Sequence, residues 1–402
     1  MASTNLQPVG EESTRQHLTP AVTAATQRVS GTFSGRIPAL DGLRGIAILS
    51  VLLWHSAFVL ESKNRVISDL LAVGKLSWSG VDLFFVLSGF LIGGILLDAR
   101  DSPNYFKTFY VRRAYRILPL YAATISLFLL WQFLQHVLAI GGSDPSVVPI
   151  PSLAYLTFTQ NFLMAYWATF GVSGAGMTWS LAVEEQFYLT APVLVRKIGR
   201  SRLVAVLICV VIGAPLLRAL LYYRLQRGDF AAYVLMPCRA DALSLGVLSA
   251  VLVRDTRLWQ FVSGRQPLLY WAAGILLVPL GWLMYLRCGP MATPMIVAGY
   301  TLLGLFYTCC LLIALSNTGW IQRVLCHKWL MRLGTIAYCT YLLHVTLIDL
   351  CRHTLGLKFV EDSNPIQVVG GVLGTVLTLV IASLSWRFFE QPMLRRGHAY
   401  KY

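Results

Sequence analysis

Asp41, Arg44 and His55 stand in LDGLRGIAILSVLLWHS, residues 40–56, a stretch otherwise built mainly of Leu, Ile, Val, Ala and Gly. On a helix, Asp41 and Arg44 are three residues apart, neighbours on one face that can pair. Arg44 and His55 are eleven apart, which brings them back to one face, ~16 Å from each other along the axis. A charge at bilayer depth costs at least ~2.5 kcal/mol on insertion scales, so such groups usually face a protein interior and line a substrate or ion path. The plainer reading of the same spacing is an anchoring ion pair at a helix end and a packed, neutral histidine.

Other apolar runs carry polar groups in the same way. Asp82 opens GVDLFFVLSGFLIGG, and Glu184 and Glu185 lie in TWSLAVEEQFYLTAP. Arg239 and Asp241 lie in CRADALSLG, and His344 ends YCTYLLH with Tyr338 and Tyr341 on a similar helical face. Together they imply a polar cavity between helices. In FYVRRAYRILP, Arg112, Arg113 and Arg116 cluster beside a helix start. Guanidinium forks at a helix N-terminus suit a phosphate, although a loop rich in cations is also the ordinary signal of membrane orientation.

The elements that must position these groups follow from composition. Of 402 residues, 56% are hydrophobic and 13% charged, and the mean hydropathy is +0.63. A soluble domain could not bury so much apolar surface, which points to an all-α integral membrane protein. Apolar runs near 40–60, 80–97, 117–139, 179–195, 203–223, 236–253, 268–286, 294–316, 329–350 and 366–386 predict about ten transmembrane helices. The run 152–170 is broken by Thr157, Thr159, Gln160 and Asn161 and reads as interfacial or re-entrant. Lys and Arg concentrate on alternate connections, and the 140–178 loop has none, so both termini are expected in the cytoplasm. Residues 1–36 read as a disordered cytoplasmic tail, with the first span as an uncleaved insertion signal, 37–394 as the transmembrane domain, and 395–402 as a short basic C-terminal tail.

Several functions are disfavoured. The net charge of +15 is explained by membrane orientation, so nucleic-acid binding has little support. The eight cysteines form no C-x-x-C pattern, so neither a metal site nor a disulfide framework is expected. The chain lacks G-x-S-x-G, G-x-x-x-x-G-K-[ST] and H-E-x-x-H, which removes the usual signs of a serine hydrolase, a P-loop ATPase and a zincin. A proton-coupled secondary transporter using the same intramembrane charges is the main alternative to an enzyme, although no inverted repeat relates the halves.

Taken in order along residues 37 to about 394, these segments resemble the membrane-bound acyltransferase 3 family, which O-acylates sugars and other acceptors. Arg44 and His55 match its Arg-x10-His signature. GVDLFFVLSGFLI, FYVRRAYRILP, TWSLAVEEQFYLTAP with Trp179 and Ser180, RADALSLGVLSA, YCTYLLH and FFEQP match its further motifs. Ala337 and Cys339 stand where members often carry Ser. Some members carry an esterase-like domain after the last span, which a chain ending at Tyr402 is expected to lack. The resemblance implies an acyltransferase of the plasma membrane that moves an acyl group, commonly acetyl, to a hydroxyl of a carbohydrate or other small acceptor, as in polysaccharide modification. It implies acyl-CoA as co-substrate, with no bound cofactor and no metal. Arg112, Arg113 and Arg116 would hold the donor phosphates, Arg44 would align the donor with Asp41 orienting it, and His55 would act as general base or as acyl carrier. Asp82, Trp179, Ser180, Glu184, Glu185, Arg239, Asp241, Tyr338, Tyr341 and His344 would lie on the acceptor side or support the site.

Overall fold

A computed structural model describes residues 37–58, 60, 74–138, 150–171, 174–316, 319–355 and 365–402. The expected tail at 1–36 therefore lies outside the described residues. All regular structure among the described residues is helical. In chain order the helices are α1 (Pro38–Leu53), α2 (Gly80–Asp98), α3 (Tyr105–Leu138), α4 (Ser152–Leu156), α5 (Gln160–Trp167), α6 (Thr178–Lys197), α7 (Arg200–Arg224) and α8 (Gly228–Val234). They continue with α9 (Met236–Val253), α10 (Thr256–Ser263), α11 (Gln266–Tyr285), α12 (Tyr300–Ser316), α13 (Trp320–Leu325), α14 (Lys328–Thr354), α15 (Pro365–Ser385) and α16 (Gln391–His398). Wider π turns extend α1 at Trp54–Phe58, precede α12 at Met295–Gly299 and join α15 to α16 at Trp386–Glu390.

Among the described residues each of the ten expected runs falls on a helix. Eight helical segments among the described residues are long and apolar enough to cross a membrane, which makes the chain a multi-pass membrane protein. The two runs that fall short, in α1 and α6, are those in which Asp41, Arg44, His55, Glu184 and Glu185 displace apolar residues. The run 152–170 does not form one helix. It splits into α4 and α5, and the break carries Phe158 at a positive φ of 54°.

Small residues let the central helices approach closely. Gly89 of α2 lies against the Leu243 carbonyl of α9, while Gly246 lies against the Val86 carbonyl; a Cβ at either would collide with main chain. Gly334 of α14 meets the Asp41 carbonyl of α1 in the same way. Such crossings replace the hydrophobic drive that is missing between helices in lipid. They draw α1, α2, α9 and α14 into a core with Ala47, Ile48, Phe85 and Leu243 buried, and the site forms there.

The C-terminal residues are not a free tail. Helix α16 docks on α3 with Gly397 against Tyr115. Beyond it, the carbonyls of Tyr400 and Lys401 accept from Arg112 and Thr108.

Candidate active site

The site starts on α1. Arg44 faces a cavity of about 190 Å³ that α2, α3, α6 and α14 complete. One end is cationic, with Arg44 and Arg116 acting on Glu184 and Arg113 over the ring of Tyr188. Tyr188 donates to Glu184 Oε2 at 3.2 Å and is itself hydrogen-bonded to Ser88 at 2.7 Å, so the single carboxylate there is fixed in place. Three guanidinium groups and one carboxylate reach the cavity itself, so an anionic ligand there would meet charged donors; Asp41, Glu185 and Glu390 act on the same arginines from outside the lining. The middle is apolar, built from Phe84, Phe85, Leu87, Leu91 and Ile92 on one face of α2. At the far end Ser180 Oγ and Tyr341 Oη are 2.6 Å apart, with Phe84 edge-on to Tyr341.

Tyr341 links the cavity to the histidines. Its ring lines the cavity, its carbonyl holds His344 Nδ1 at 2.7 Å, and the Tyr341 and His344 rings are 5.6 Å apart between centroids. His344 is fully buried, and its Nε2 lies 3.3 Å from His55 Nδ1. The chain leading to His55 widens into the π turn, which departs from the uniform α-spacing expected from sequence. Single π turns often accompany functional sites because they re-aim a side chain.

The hydrogen bonds assign both tautomers. A neutral imidazole has one donor and one acceptor nitrogen. His55 Nδ1 lies 2.9 Å from the Val51 carbonyl and His344 Nδ1 against the Tyr341 carbonyl, and carbonyls only accept. Each ring therefore carries its proton on Nδ1. The single His55 Nδ1–H is then shared between the Val51 carbonyl at 2.9 Å and the His344 Nε2 lone pair at 3.3 Å, and the lone pair on Nε2 of the partly exposed His55 is left to take up a proton or an acyl group.

One further residue supports this arrangement and was not singled out from sequence. Arg352, near the end of α14, is almost completely buried. It donates to the His55 carbonyl at 3.1 Å and to the Ser56 carbonyl at 2.9 Å. It thereby satisfies carbonyls at the π turn and fixes the backbone that carries His55. In the sequence Arg352 looks like an ordinary loop cation. Glu390, the glutamate of FFEQP, is buried in the π turn before α16 and sits in the field of Arg116 and Arg44.

The remaining expected site residues divide. Arg113, Arg116, Ser180, Glu184, Tyr338 and Tyr341 join Arg44 around the cavity. Asp41 acts on Arg44 through its charge. Glu185 does not line the cavity, although it feels Arg113 and Glu184. Arg112 turns away: it donates to the Tyr400 carbonyl at 2.9 Å and lies 5.1 Å from the Tyr402 ring, binding the C-terminal segment.

Arg239 and Asp241 do not pair with each other. Arg239 bridges to Asp82 at 2.6 Å, and Asp241 to Arg218 at 2.9 Å. Arg239 lies 3.6 Å from the Tyr300 ring centre and near Phe85 and Trp179, behind the wall that Phe85 gives the cavity. Asp82, Trp179, Arg239 and Asp241 thus hold the wall without lining the cavity. Among the described residues no group of three or more His, Cys, Asp or Glu side chains is placed to hold a metal ion.

A family model described as an acyltransferase domain, acyltransferase 3, matches residues 37–387. The chain belongs to the acyltransferase 3 family. The match takes in every cavity-lining residue named above, together with His55, His344 and Arg352. The chain is 26% identical over 380 residues to the peptidoglycan O-acetyltransferase OatA of Listeria monocytogenes serovar 1/2a, covering 90% of this chain and 56% of that protein. It is 30% identical over 388 residues to the putative peptidoglycan O-acetyltransferase YrhL of Bacillus subtilis strain 168, covering 90% of this chain and 55% of the relative. A putative O-acetyltransferase of Staphylococcus aureus strain COL is 26% identical over 373 residues, with 58% of its length covered. The chain thus spans somewhat over half the length of these curated relatives. No solved structure matches it.

Proposed function

We propose that this acyltransferase moves a short acyl group, acetyl in the first instance, from a cytoplasmic acyl-CoA to a carbohydrate hydroxyl, with His55 as the reacting base. The observation that carries this reading is the Nε2 of His55, left unbonded by the Val51 and His344 contacts; His55 does not itself line the cavity but is joined through His344 to Tyr341, which lines it together with three arginines. Arg113 and Arg116 hold donor phosphate, the thioester arm lies along Phe84, Leu87 and Leu91, and Arg44 aligns it from the wall of α1.

In the transfer, His55 Nε2 takes the proton of the acceptor hydroxyl as that oxygen attacks the thioester carbonyl. The C–S bond breaks, and the departing thiolate receives the proton back from His55. As Nε2 becomes protonated, the shared Nδ1–H bond to the Val51 carbonyl and His344 becomes charge-assisted and stronger, so both steady the charged ring while Tyr341 holds His344. His55 can alternatively take the acyl group on Nε2 and pass it to the hydroxyl; the same free lone pair serves both routes.

The names of the relatives suggest peptidoglycan as acceptor. The charge bias of the loops supports a plasma-membrane protein with both termini and the arginine-rich end in the cytoplasm. The test is acyl transfer by the purified chain from radiolabelled acetyl-CoA to muropeptides and to simple sugars in detergent. Labelled product that disappears in His55→Ala supports the reading. Absence of both transfer and thioester cleavage, with proton-linked uptake in proteoliposomes instead, would replace it with the transporter.

A further inference from the structure

On a face of the bundle separate from the cavity, α14 and α15 leave an open trough made of two overlapping hollows of about 470 and 520 Å³. None of its lining residues belongs to the donor cavity. At the end near the start of α14 it is bounded by Lys328, Arg332 and Arg387, all exposed. These cations have no ion pair among the described residues, and no Asp or Glu lines the trough. Lys328 and Arg387 rest near the rings of Trp329 and Phe388 instead. Trp329 and Trp386 flank the cluster, and tryptophans beside cations are the composition found at a membrane interface.

Away from the cations the trough is apolar. Leu333 and Ile336 of α14 face Val376, Leu379 and Val380 of α15. Ser383 does not interrupt it, because its hydroxyl is bonded to the Leu379 carbonyl at 2.7 Å. Val376 and Arg387 are eleven residues apart, ~16 Å at 1.5 Å per helical residue. That is about half the ~30 Å hydrocarbon core, the depth of one leaflet.

A lipid-facing groove is covered by lipid in any membrane; three uncompensated cations at one end decide which lipid. A phosphate between two arginines accepts from both forks, whereas the quaternary ammonium of a zwitterionic lipid would be repelled. We propose that this trough is a site for an anionic diacyl phospholipid, its phosphate held by Lys328, Arg332 and Arg387 and one acyl chain lying between α14 and α15. The mode is that of basic pockets between membrane helices which take acidic head groups. The inference does not depend on the acyl-transfer reading.

The experiment is native mass spectrometry of the full chain released from detergent, titrated with dioleoyl-phosphatidylglycerol or dioleoyl-phosphatidylcholine. The expected result is one phosphatidylglycerol adduct formed at about tenfold lower concentration than the phosphatidylcholine adduct, as charge-assisted contacts imply. The preference should vanish in the Arg332→Gln/Arg387→Gln double variant. Val380→Trp, which fills the apolar part and keeps the cations, should weaken both lipids and remains informative if the double variant does not fold. Equal binding of the two lipids by the natural chain would overturn the proposal. So would an unaltered phosphatidylglycerol preference in the double variant, displacement of the adduct by inorganic phosphate, or a dimer that alone disappears in Val380→Trp.

Discussion

His344 Nε2 lies 3.3 Å from His55 Nδ1, with the two rings edge to face at 76°. Because both Nδ1 atoms are tied to carbonyls, the one proton between the rings is that of His55 Nδ1, shared by the nearer Val51 carbonyl and the His344 lone pair, and the reacting Nε2 of His55 lies across the ring from it. The buried histidine orients the partly exposed one.

Removing the two rings should therefore have different effects. His55→Ala is expected to lower kcat by about 10²–10⁴-fold, the usual contribution of a positioned base. His344→Ala is expected to lower kcat by about tenfold to a hundredfold, with KM for the donor little changed, and His344→Gln, whose amide oxygen can still accept, should recover part of it. Steady-state kinetics in detergent decide the matter; a His344→Ala enzyme at full kcat would remove the orienting role.

Both routes through His55 require the neutral ring. The rate of acyl transfer should fall on acidification as His55 gains a proton and Nε2 loses its lone pair. In His55→Ala the residual rate should show no such acidic limb. The check is a pH profile of kcat/KM for the natural chain and the variant, measured side by side; identical limbs would assign the titration to another group.

Arg352 holds the backbone of the π turn, so its substitution should act at a distance from the reacting nitrogen. Arg352→Ala leaves the carbonyls of His55 and Ser56 without this donor. Unsatisfied buried carbonyls cost about 1–3 kcal/mol each, so a lower melting temperature is expected together with a reduced kcat. Arg352→Lys, which can still donate to one carbonyl, should restore stability more than rate. Melting curves and kinetics on both variants separate the two effects.

Arg113 and Arg116 line the cavity and Arg112 does not. Arg113→Gln or Arg116→Gln should raise the donor KM by about tenfold or more, as loss of a charge-assisted contact implies, and the effect should shrink at high salt. Arg112→Gln should leave the donor KM near its natural value and instead expose the C-terminal segment to carboxypeptidase. Equal KM changes for all three would return Arg112 to the donor site.

Asp82 and Arg239 form a buried pair, so breaking it from one side should be severe. Asp82→Leu is expected to destabilise by about 3–5 kcal/mol, because the Arg239 charge is then left uncompensated in the interior. The double variant Asp82→Leu/Arg239→Met removes both charges and should regain much of that loss. Thermal unfolding in detergent measures both; a double variant no better than the single would show that the pair contributes beyond mutual neutralisation.

Local pattern along the chain determined a great deal. All ten apolar runs became helices, because unpaired backbone in lipid leaves a long apolar segment no other solution. The break within 152–170 was legible in its polar residues, and the motif residues that surround the cavity lay on helix faces that a 3.6-residue period reveals. Tertiary structure alone chose the partners. Arg239 stands two positions from Asp241, yet it pairs with Asp82, 157 residues away; successive positions on a helix diverge, and only packing brings distant charges together. Packing also set the π turn at His55, aimed its free nitrogen through His344, and carried Arg352 from an apparent loop cation to the support of that turn. Periodicity places a side chain on a helix face, but each of these contacts spans two helices, and their relative position is decided by how close small residues such as Gly246 and Gly334 let the backbones come.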